Sequence, residues 1–190
     1  MKNKLPVEFY RQADVVSIAR QLLGKHIYTC INGELTGGII VETEAYRGPE
    51  DRGSHAYNNK KTPRNEMMYK AGGFAYMYIC YGIHDMLNIV TGEEGMSHAA
   101  LIRAIEPVKR LDIMKSRRGL VGNDIRLCQG PGALAKSLGL TKFHNGTDLQ
   151  GNLLWLTEEG VTYTEDQVVA APRVGMNFEG PYKIIPWRFL

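Results

Sequence analysis

The chain has 190 residues, of which 44% are hydrophobic and 23% are charged, and its formal net charge at pH 7 is +3. This size and composition predict one soluble globular domain, residues 1–190, rather than a disordered chain, and no apolar run approaches the roughly 20 residues that span a bilayer. We expect a cytoplasmic protein because the first residues lack a signal peptide's apolar core and the three cysteines are too scattered for a disulfide framework, while the mild positive charge permits nucleic-acid binding.

A helix and a hairpin are predicted in the first quarter of the chain. Asp14 is a good N-cap for a helix over residues 15–23, whose apolar side chains have helical spacing. Residues 27–31 predict a strand that meets Asn32-Gly33, the strongest two-residue hairpin signal, and returns over residues 35–46.

The returning strand carries the residues of greatest chemical interest. Since successive side chains of a strand point to opposite faces, Glu42, Glu44 and Tyr46 share one face. One carboxylate could be a general base aimed at a water molecule, or both could be solvated strand residues. Residues 47–70, rich in Gly, Asn, Pro and basic side chains, lack periodicity and predict a functional loop.

A second hairpin follows this loop. Residues 74–81, rich in tyrosine, predict a strand, residues 81–84 predict a turn, and residues 85–90 predict the returning strand. This pattern places Tyr81 at or near an exposed tip.

Arg103 is the only permanently positive side chain in the next predicted strand, residues 98–105. A buried guanidinium is costly without an anion. Arg103 therefore pairs with a carboxylate, for which Glu44 is a sensible candidate, or projects into a wet pocket, or points out from a half-exposed sheet.

The second half of the chain predicts two helices and further strands. Pro107 suits the first turn of a basic helix that runs to about Arg118, and Pro131 suits the start of another. Residues 153–156 and 168–171 predict strands or core segments. The elements together predict an α+β fold, with the sheet at the centre of a single mixed domain.

The ionisable and aromatic residues allow more than one chemistry. Six tyrosines between residues 46 and 81 could be half-buried sheet residues, or they could stack on bases while neighbouring cations meet phosphates. A metal site would need several acidic residues and His55 to converge, and no paired histidine or cysteine spacing supports one.

Eight short motifs occur in a fixed order along the chain: Val41-Glu42-Thr43-Glu44-Ala45-Tyr46, Gly48-Pro49-Glu50-Asp51, His55, Thr62-Pro63-Arg64-Asn65, Tyr76-Met77-Tyr78-Ile79-Cys80-Tyr81-Gly82, Leu101-Ile102-Arg103-Ala104-Ile105-Glu106-Pro107, Gly130-Pro131 and Pro172-Arg173-Val174-Gly175. In this order they resemble the alkyladenine (3-methyladenine) DNA glycosylase family, over nearly the whole chain.

The resemblance implies a curved antiparallel sheet flanked by helices, with a β-hairpin that projects for insertion into DNA. It implies a monofunctional glycosylase that flips alkylated or deaminated purines (3-methyladenine, 7-methylguanine, hypoxanthine or ethenoadenine) out of double-stranded DNA. The enzyme would hydrolyse the N-glycosidic bond and leave an abasic site without cleaving the strand. It would be a monomer without a metal or other cofactor, and in a bacterium it would associate with the nucleoid.

The resemblance also implies roles by position. Glu44 is similar to the family's general base, with Arg103 and the backbone carbonyl of Val174 helping it to hold the attacking water.

Other positions match the family's DNA contacts. Tyr46, His55 and Tyr78 resemble the walls that sandwich the flipped base, Asn88 the group that crowds the exocyclic amine of normal guanine, and Tyr81 the side chain that fills the gap left in the duplex. Basic residues of the loop could contact DNA phosphates: Lys60, Lys61 and Arg64. Ala133 stands where the family commonly has a lysine, which puts one contact with DNA in question.

Two alternative functions are open on the sequence. The first is a lesion-binding protein that flips bases without turnover, against which the presence of both Glu44 and Arg103 argues. The second is a metal-dependent nuclease, which would use Glu44, Glu50, Asp51 and His55.

Overall fold

The computed structural model describes residues 3–122 and 125–190 and has a mixed α+β fold built on one antiparallel sheet. The strands are β1 (His26–Ile31), β2 (Glu34–Arg47), β3 (Ala75–Cys80), β4 (His84–Thr91), β5 (His98–Lys109), β6 (Leu154–Thr157), β7 (Ala170–Ala171) and β8 (Arg188–Phe189). The α-helices are α1 (Val7–Arg11), α2 (Val15–Gln21), α3 (Leu111–Arg118), α4 (Pro131–Ser137) and α5 (Pro181–Ile184). Within the described residues, no helix is long and apolar enough to cross a bilayer.

The strand order is β3-β4-β5-β2-β1-β6, and β8 pairs with both β2 and β7. Strand β2 organises the sheet: its first half pairs with β1, its second half pairs with β8, and β5 runs along most of its other edge. Register shifts between Gly37 and Gly38 and on both sides of Glu42 interrupt its ladder with β5, and such bulges bend a strand and increase its twist.

The two faces of β2 have different surroundings. The Thr43 hydroxyl donates to the carbonyl of Ala19 in α2 at 2.7 Å, and Ala45 is fully buried in the main core. Since side chains alternate along a strand, Glu42, Glu44 and Tyr46 face the other side, as the sequence predicts.

Apolar side chains cover both faces of the sheet. On one face, Ile18 of α2 and Leu134 of α4 pack with strand residues such as Ile89 in the larger cluster. On the other face, Ala56 and Met68 of the 47–70 loop belong to a smaller buried cluster. A fully buried aliphatic side chain contributes roughly 1.5–3 kcal/mol, so the larger cluster fixes the sheet and the smaller one anchors the loop.

Local signals locate the early elements correctly. The Asp14 side chain caps α2 by accepting a hydrogen bond from the Val16 N–H at 3.0 Å. Asn32 and Gly33 have φ values of 53° and 78°, the left-handed conformation that a two-residue hairpin turn of type I′ requires. The second hairpin also forms, with Cys80 paired opposite His84.

The prediction that Pro107 starts a helix is wrong. Strand β5 continues through Pro107 to Lys109, and α3 begins only at Leu111. β4 pairs with β5 only over residues 98–101, so Pro107 lies where β5 has lost that neighbour, and a missing N–H is tolerated there. Arg110, with φ of 54°, separates the strand from the helix. Of residues 168–171, only Ala170–Ala171 form a strand.

Candidate active site

A cavity of about 1390 Å³ opens between the sheet, the 47–70 loop and the segment around Val174. Nine of the residues to which the resemblance or the basic loop gives a catalytic or DNA-contact role line it: Glu44, Tyr46, His55, Arg64, Tyr78, Tyr81, Asn88, Arg103 and Val174. Lys60 and Lys61 are exposed and do not line this cavity; the Lys61 ammonium lies 5.2 Å from the centroid of the Tyr69 ring. The fold therefore gathers the candidate catalytic and base-binding residues at one place.

Glu44 is the charged centre of the cavity, and its side chain is 0% exposed. Its Oε1 accepts a hydrogen bond from the Val174 N–H at 2.8 Å and lies 3.2 Å from Nη1 of Arg103, while its Oε2 accepts from the Tyr46 hydroxyl at 2.8 Å. An ionised carboxylate has about four acceptor positions. Two hydrogen bonds and one ion pair orient it, and about two of its acceptor positions have no protein donor.

The Tyr46 hydroxyl is a fixed donor to this carboxylate. Burial, followed by the charge of Glu44 and their mutual hydrogen bond, raises the pKa of Tyr46 well above its ordinary value. The phenol therefore stays protonated at any physiological pH. Its ring also stacks on the guanidinium of Arg173, at 4.6 Å from ring centroid to Cζ.

Arg103 pairs with Glu44, one of the alternatives that the sequence left open, and also with a second carboxylate. Its Nε donates to Oε1 of Glu42 at 2.9 Å, and Nη1 of Arg188 donates to the same oxygen at 2.9 Å. Glu42 is thus bracketed by two arginines rather than solvated.

Val174 contacts Glu44 through its N–H, whereas the role predicted for this residue uses its carbonyl. The preceding residue, Arg173, fixes the segment: its fully buried guanidinium forms a bidentate ion pair with Asp51 at 2.5 and 2.8 Å. It also donates to the carbonyls of Ala45 and Tyr182, each at 3.0 Å. Sequence reasoning missed this clamp, although Asp51 and Arg173 both lie in quoted motifs.

His55 and Tyr78 form an aromatic wall with Tyr76. The His55 and Tyr78 ring centroids are 4.6 Å apart at 73°, and His55 Nδ1 shares a 2.8 Å hydrogen bond with the Tyr76 hydroxyl. Although much of the residue is exposed, desolvation of the imidazole against Tyr76 and Tyr78, followed by the charge of Arg64, lowers the pKa of His55 to about 4. The imidazole is therefore neutral at physiological pH.

Arg64 and Asn88 complete the wall. The Arg64 guanidinium lies 5.2 Å from the Tyr78 ring centroid and donates to the Ile79 carbonyl at 3.1 Å. Burial is the largest cause that raises the pKa of Tyr78 to about 12. Asn88 is buried, and its Nδ2 donates to the Tyr76 carbonyl at 3.2 Å. This contact holds the amide against the wall.

Tyr81 lies at the hairpin tip with 84% of its surface exposed. Its φ of 51° and the φ of 74° at Gly82 are left-handed, and this conformation costs a non-glycine residue about 1–2 kcal/mol. The tip therefore presents a bare aromatic ring on a strained turn at the edge of the cavity.

The acidic residues considered for a metal site have separate partners. Glu50 pairs with Arg47 at 2.6 Å and Asp51 with Arg173, while His55 bonds to Tyr76. Across residues 3–122 and 125–190, no three His, Cys, Asp or Glu side chains are grouped so that they could hold a metal ion.

The buried carboxylate, the aromatic wall and the exposed hairpin tip line one cavity, and together they form the kind of pocket that suits a flat aromatic group. Comparison with known proteins identifies the family. Residues 8–190 match the model of the family described as Methylpurine-DNA glycosylase (MPG). The chain belongs to this family of DNA-repair glycosylases.

Similar curated proteins span almost the whole chain. A Chlamydia felis (strain Fe/C-56) protein named "Putative 3-methyladenine DNA glycosylase" is 44% identical over 187 residues, which is 98% of this chain and 95% of the relative. Proteins of the same name from Desulfitobacterium hafniense (strain Y51) and Bacillus cereus (strain AH820) are 43% and 36% identical, covering 98% and 97% of this chain and 94% and 93% of their own lengths.

Proposed function

We propose that the protein hydrolyses the N-glycosidic bond of a damaged purine that has been flipped out of double-stranded DNA. Glu44 activates the attacking water, and the product is an abasic site in an uncut strand. One observation carries the proposal: a buried carboxylate lines the aromatic cavity, held by two hydrogen-bond donors and one ion pair, and it keeps about two acceptor positions that no protein donor uses. Arg103 supports it by balancing the negative charge at 3.2 Å.

The walls of the cavity favour a flat, cationic base. Tyr46 and Tyr78 offer π faces, which attract a positively charged ring such as a methylated purine. A cationic purine is also a good leaving group and needs little acid catalysis. Neutral lesions such as hypoxanthine and ethenoadenine need a proton donor, and His55, neutral above about pH 4, cannot serve as an imidazolium. We therefore rank 3-methyladenine and 7-methylguanine above the neutral lesions.

The rim of the cavity fits the DNA. Tyr81, exposed at the hairpin tip, fills the space that the flipped nucleotide leaves in the duplex. This contact offsets the cost of unstacking the base, which is on the order of a few kcal/mol. Asn88 crowds the exocyclic amine of normal guanine. Lys60, Lys61 and Arg64 contact phosphates, so affinity should fall with salt. The protein acts as a monomer and uses no cofactor.

The proposal is tested with duplexes that carry 3-methyladenine, 7-methylguanine, hypoxanthine or ethenoadenine, incubated with the protein in EDTA and, in parallel, in Mg²⁺, and the Kd for each duplex is measured. Hot alkali then cleaves the strand at abasic sites, and a parallel sample without alkali detects direct strand cleavage. We expect alkali-dependent cleavage at the methylated purines. Tight binding without base release would favour the lesion-binding alternative, and cleavage that EDTA abolishes would favour the nuclease.

A further inference from the structure

Arg188, near the end of the chain on β8, contacts two segments that both lead to Glu44. Its Nη1 donates to Glu42 Oε1 at 2.9 Å, and its Nε donates to the Pro172 carbonyl at 3.0 Å. Its backbone pairs with Glu44 itself across the β2–β8 ladder. The side chain is 24% exposed.

The first route runs through Glu42. Oε1 of Glu42 accepts from both Arg188 and Arg103, and Arg103 then places its Nη1 at 3.2 Å from Glu44. A guanidinium is a rigid planar fork, so fixing Nε also fixes the direction in which Nη1 points. Glu42 thereby sets the angle at which Arg103 meets Glu44.

The second route runs through Pro172. Arg188 holds the Pro172 carbonyl, and two residues later the Val174 N–H donates to Glu44 at 2.8 Å. One guanidinium therefore restrains both the ion-pair partner of Glu44, Arg103, and its backbone donor, Val174.

We propose that Glu42 and Arg188 are positioning residues for Glu44, an inference that rests on the catalytic role of Glu44 proposed above. Neither side chain lines the cavity, so neither meets the base or the attacking water. They act by holding the carboxylate and its donors in register. A displacement of about 1 Å at a reacting group can cost roughly 100-fold in rate.

Three variants separate positioning from charge. Glu42→Ala removes the shared acceptor, whereas Glu42→Gln keeps an oxygen that can accept from both arginines. Arg188→Lys keeps the charge but has one compact ammonium in place of a fork, so it cannot reproduce both contacts. Arg20→Lys is the matched control, because Arg20 pairs with Glu165 at 2.5 Å and its side chain is 29% exposed, away from the cavity.

The experiment measures the single-turnover rate of 3-methyladenine release with enzyme in excess, the Kd for the same duplex, and Tm. We expect Glu42→Ala and Arg188→Lys to lower the rate by about 10- to 100-fold with Kd changed less than about threefold. Glu42→Gln should stay within about fivefold of wild type, and Arg20→Lys should match it. Since both residues act on one carboxylate, the double variant should be no slower than the worse single variant.

Wild-type rates in Glu42→Ala and Arg188→Lys, or equal losses in rate and Kd, would overturn this inference while leaving the proposed function intact. Arg188→Lys is decisive if Glu42→Ala does not fold, since it preserves charge and approximate length. A folded wild-type protein that releases none of the four bases would overturn the proposed function and this inference with it.

Discussion

Replacing Asp51 with asparagine tests the buried ion pair between Asp51 and Arg173, which fixes the segment next to Val174. Asp51 and Arg173 are both 0% exposed in their side chains, and the exchange leaves the guanidinium buried without its counter-charge. Breaking such a pair by altering one partner costs about 3–5 kcal/mol. A chain of this length shifts in Tm by roughly 2–4 °C per kcal/mol, so we expect Asp51→Asn to lower Tm by about 6–20 °C.

The assay is thermal denaturation followed by circular dichroism, with Glu50→Gln as the control. Glu50 makes a partly exposed pair with Arg47, at side-chain exposures of 43% and 38%, and such pairs contribute about 0–1 kcal/mol. Its Tm should fall by no more than about 4 °C. Equal, small shifts in the two variants would refute the reasoning that the buried pair organises this region.

Three further predictions concern the cavity itself. Tyr81→Gly should weaken binding to lesion duplexes in a fluorescence titration. The free energy of unfolding should stay within about 1 kcal/mol, because glycine readily adopts the left-handed φ of 51°. Unchanged affinity would contradict the proposal that Tyr81 fills the space left by the flipped nucleotide. Tyr46→Phe should slow single-turnover release of 3-methyladenine by roughly 10- to 150-fold, since a hydrogen bond to a charged group contributes about 1.5–3 kcal/mol. A wild-type rate would show that the Tyr46 hydroxyl does not contribute to catalysis. The pKa of His55, lowered to about 4 by desolvation and then by Arg64, should be measurable by NMR titration, and a midpoint near 6.5 would refute the assignment. Between about pH 6.5 and pH 4 only the unfolded chain takes up this proton. The free energy of unfolding should therefore fall as the pH drops through that window.

The parts of the fold that sequence patterns predicted are those that depend on short-range chemistry. Asn32-Gly33 turns because both residues tolerate positive φ, and Asp14 caps α2 because its carboxylate reaches an N–H two residues away. Pro107 misled the prediction because its effect depends on whether a neighbouring strand needs its N–H. That neighbour, β4, ends its pairing earlier along β5.

For the candidate site, too, short-range patterns predicted some features and missed the long-range contacts. Alternation along β2 predicted that Glu44 and Tyr46 share one face of the strand, and the cost of a buried guanidinium made a carboxylate one of the expected partners of Arg103. The contacts of Arg188 with Glu42 and of Arg173 with Asp51 join residues 146 and 122 positions apart, and no local pattern selects such partners among all the charges of the chain.

The most direct test of the central claim is single-turnover release of 3-methyladenine by Glu44→Gln, measured together with its Kd for the lesion duplex. Glutamine keeps the size and one acceptor oxygen of the side chain but cannot take a proton from water. We expect the release rate to fall by about 100- to 10,000-fold while Kd changes by only a few-fold. A variant that binds and releases the base at the wild-type rate would show that Glu44 does not activate the water.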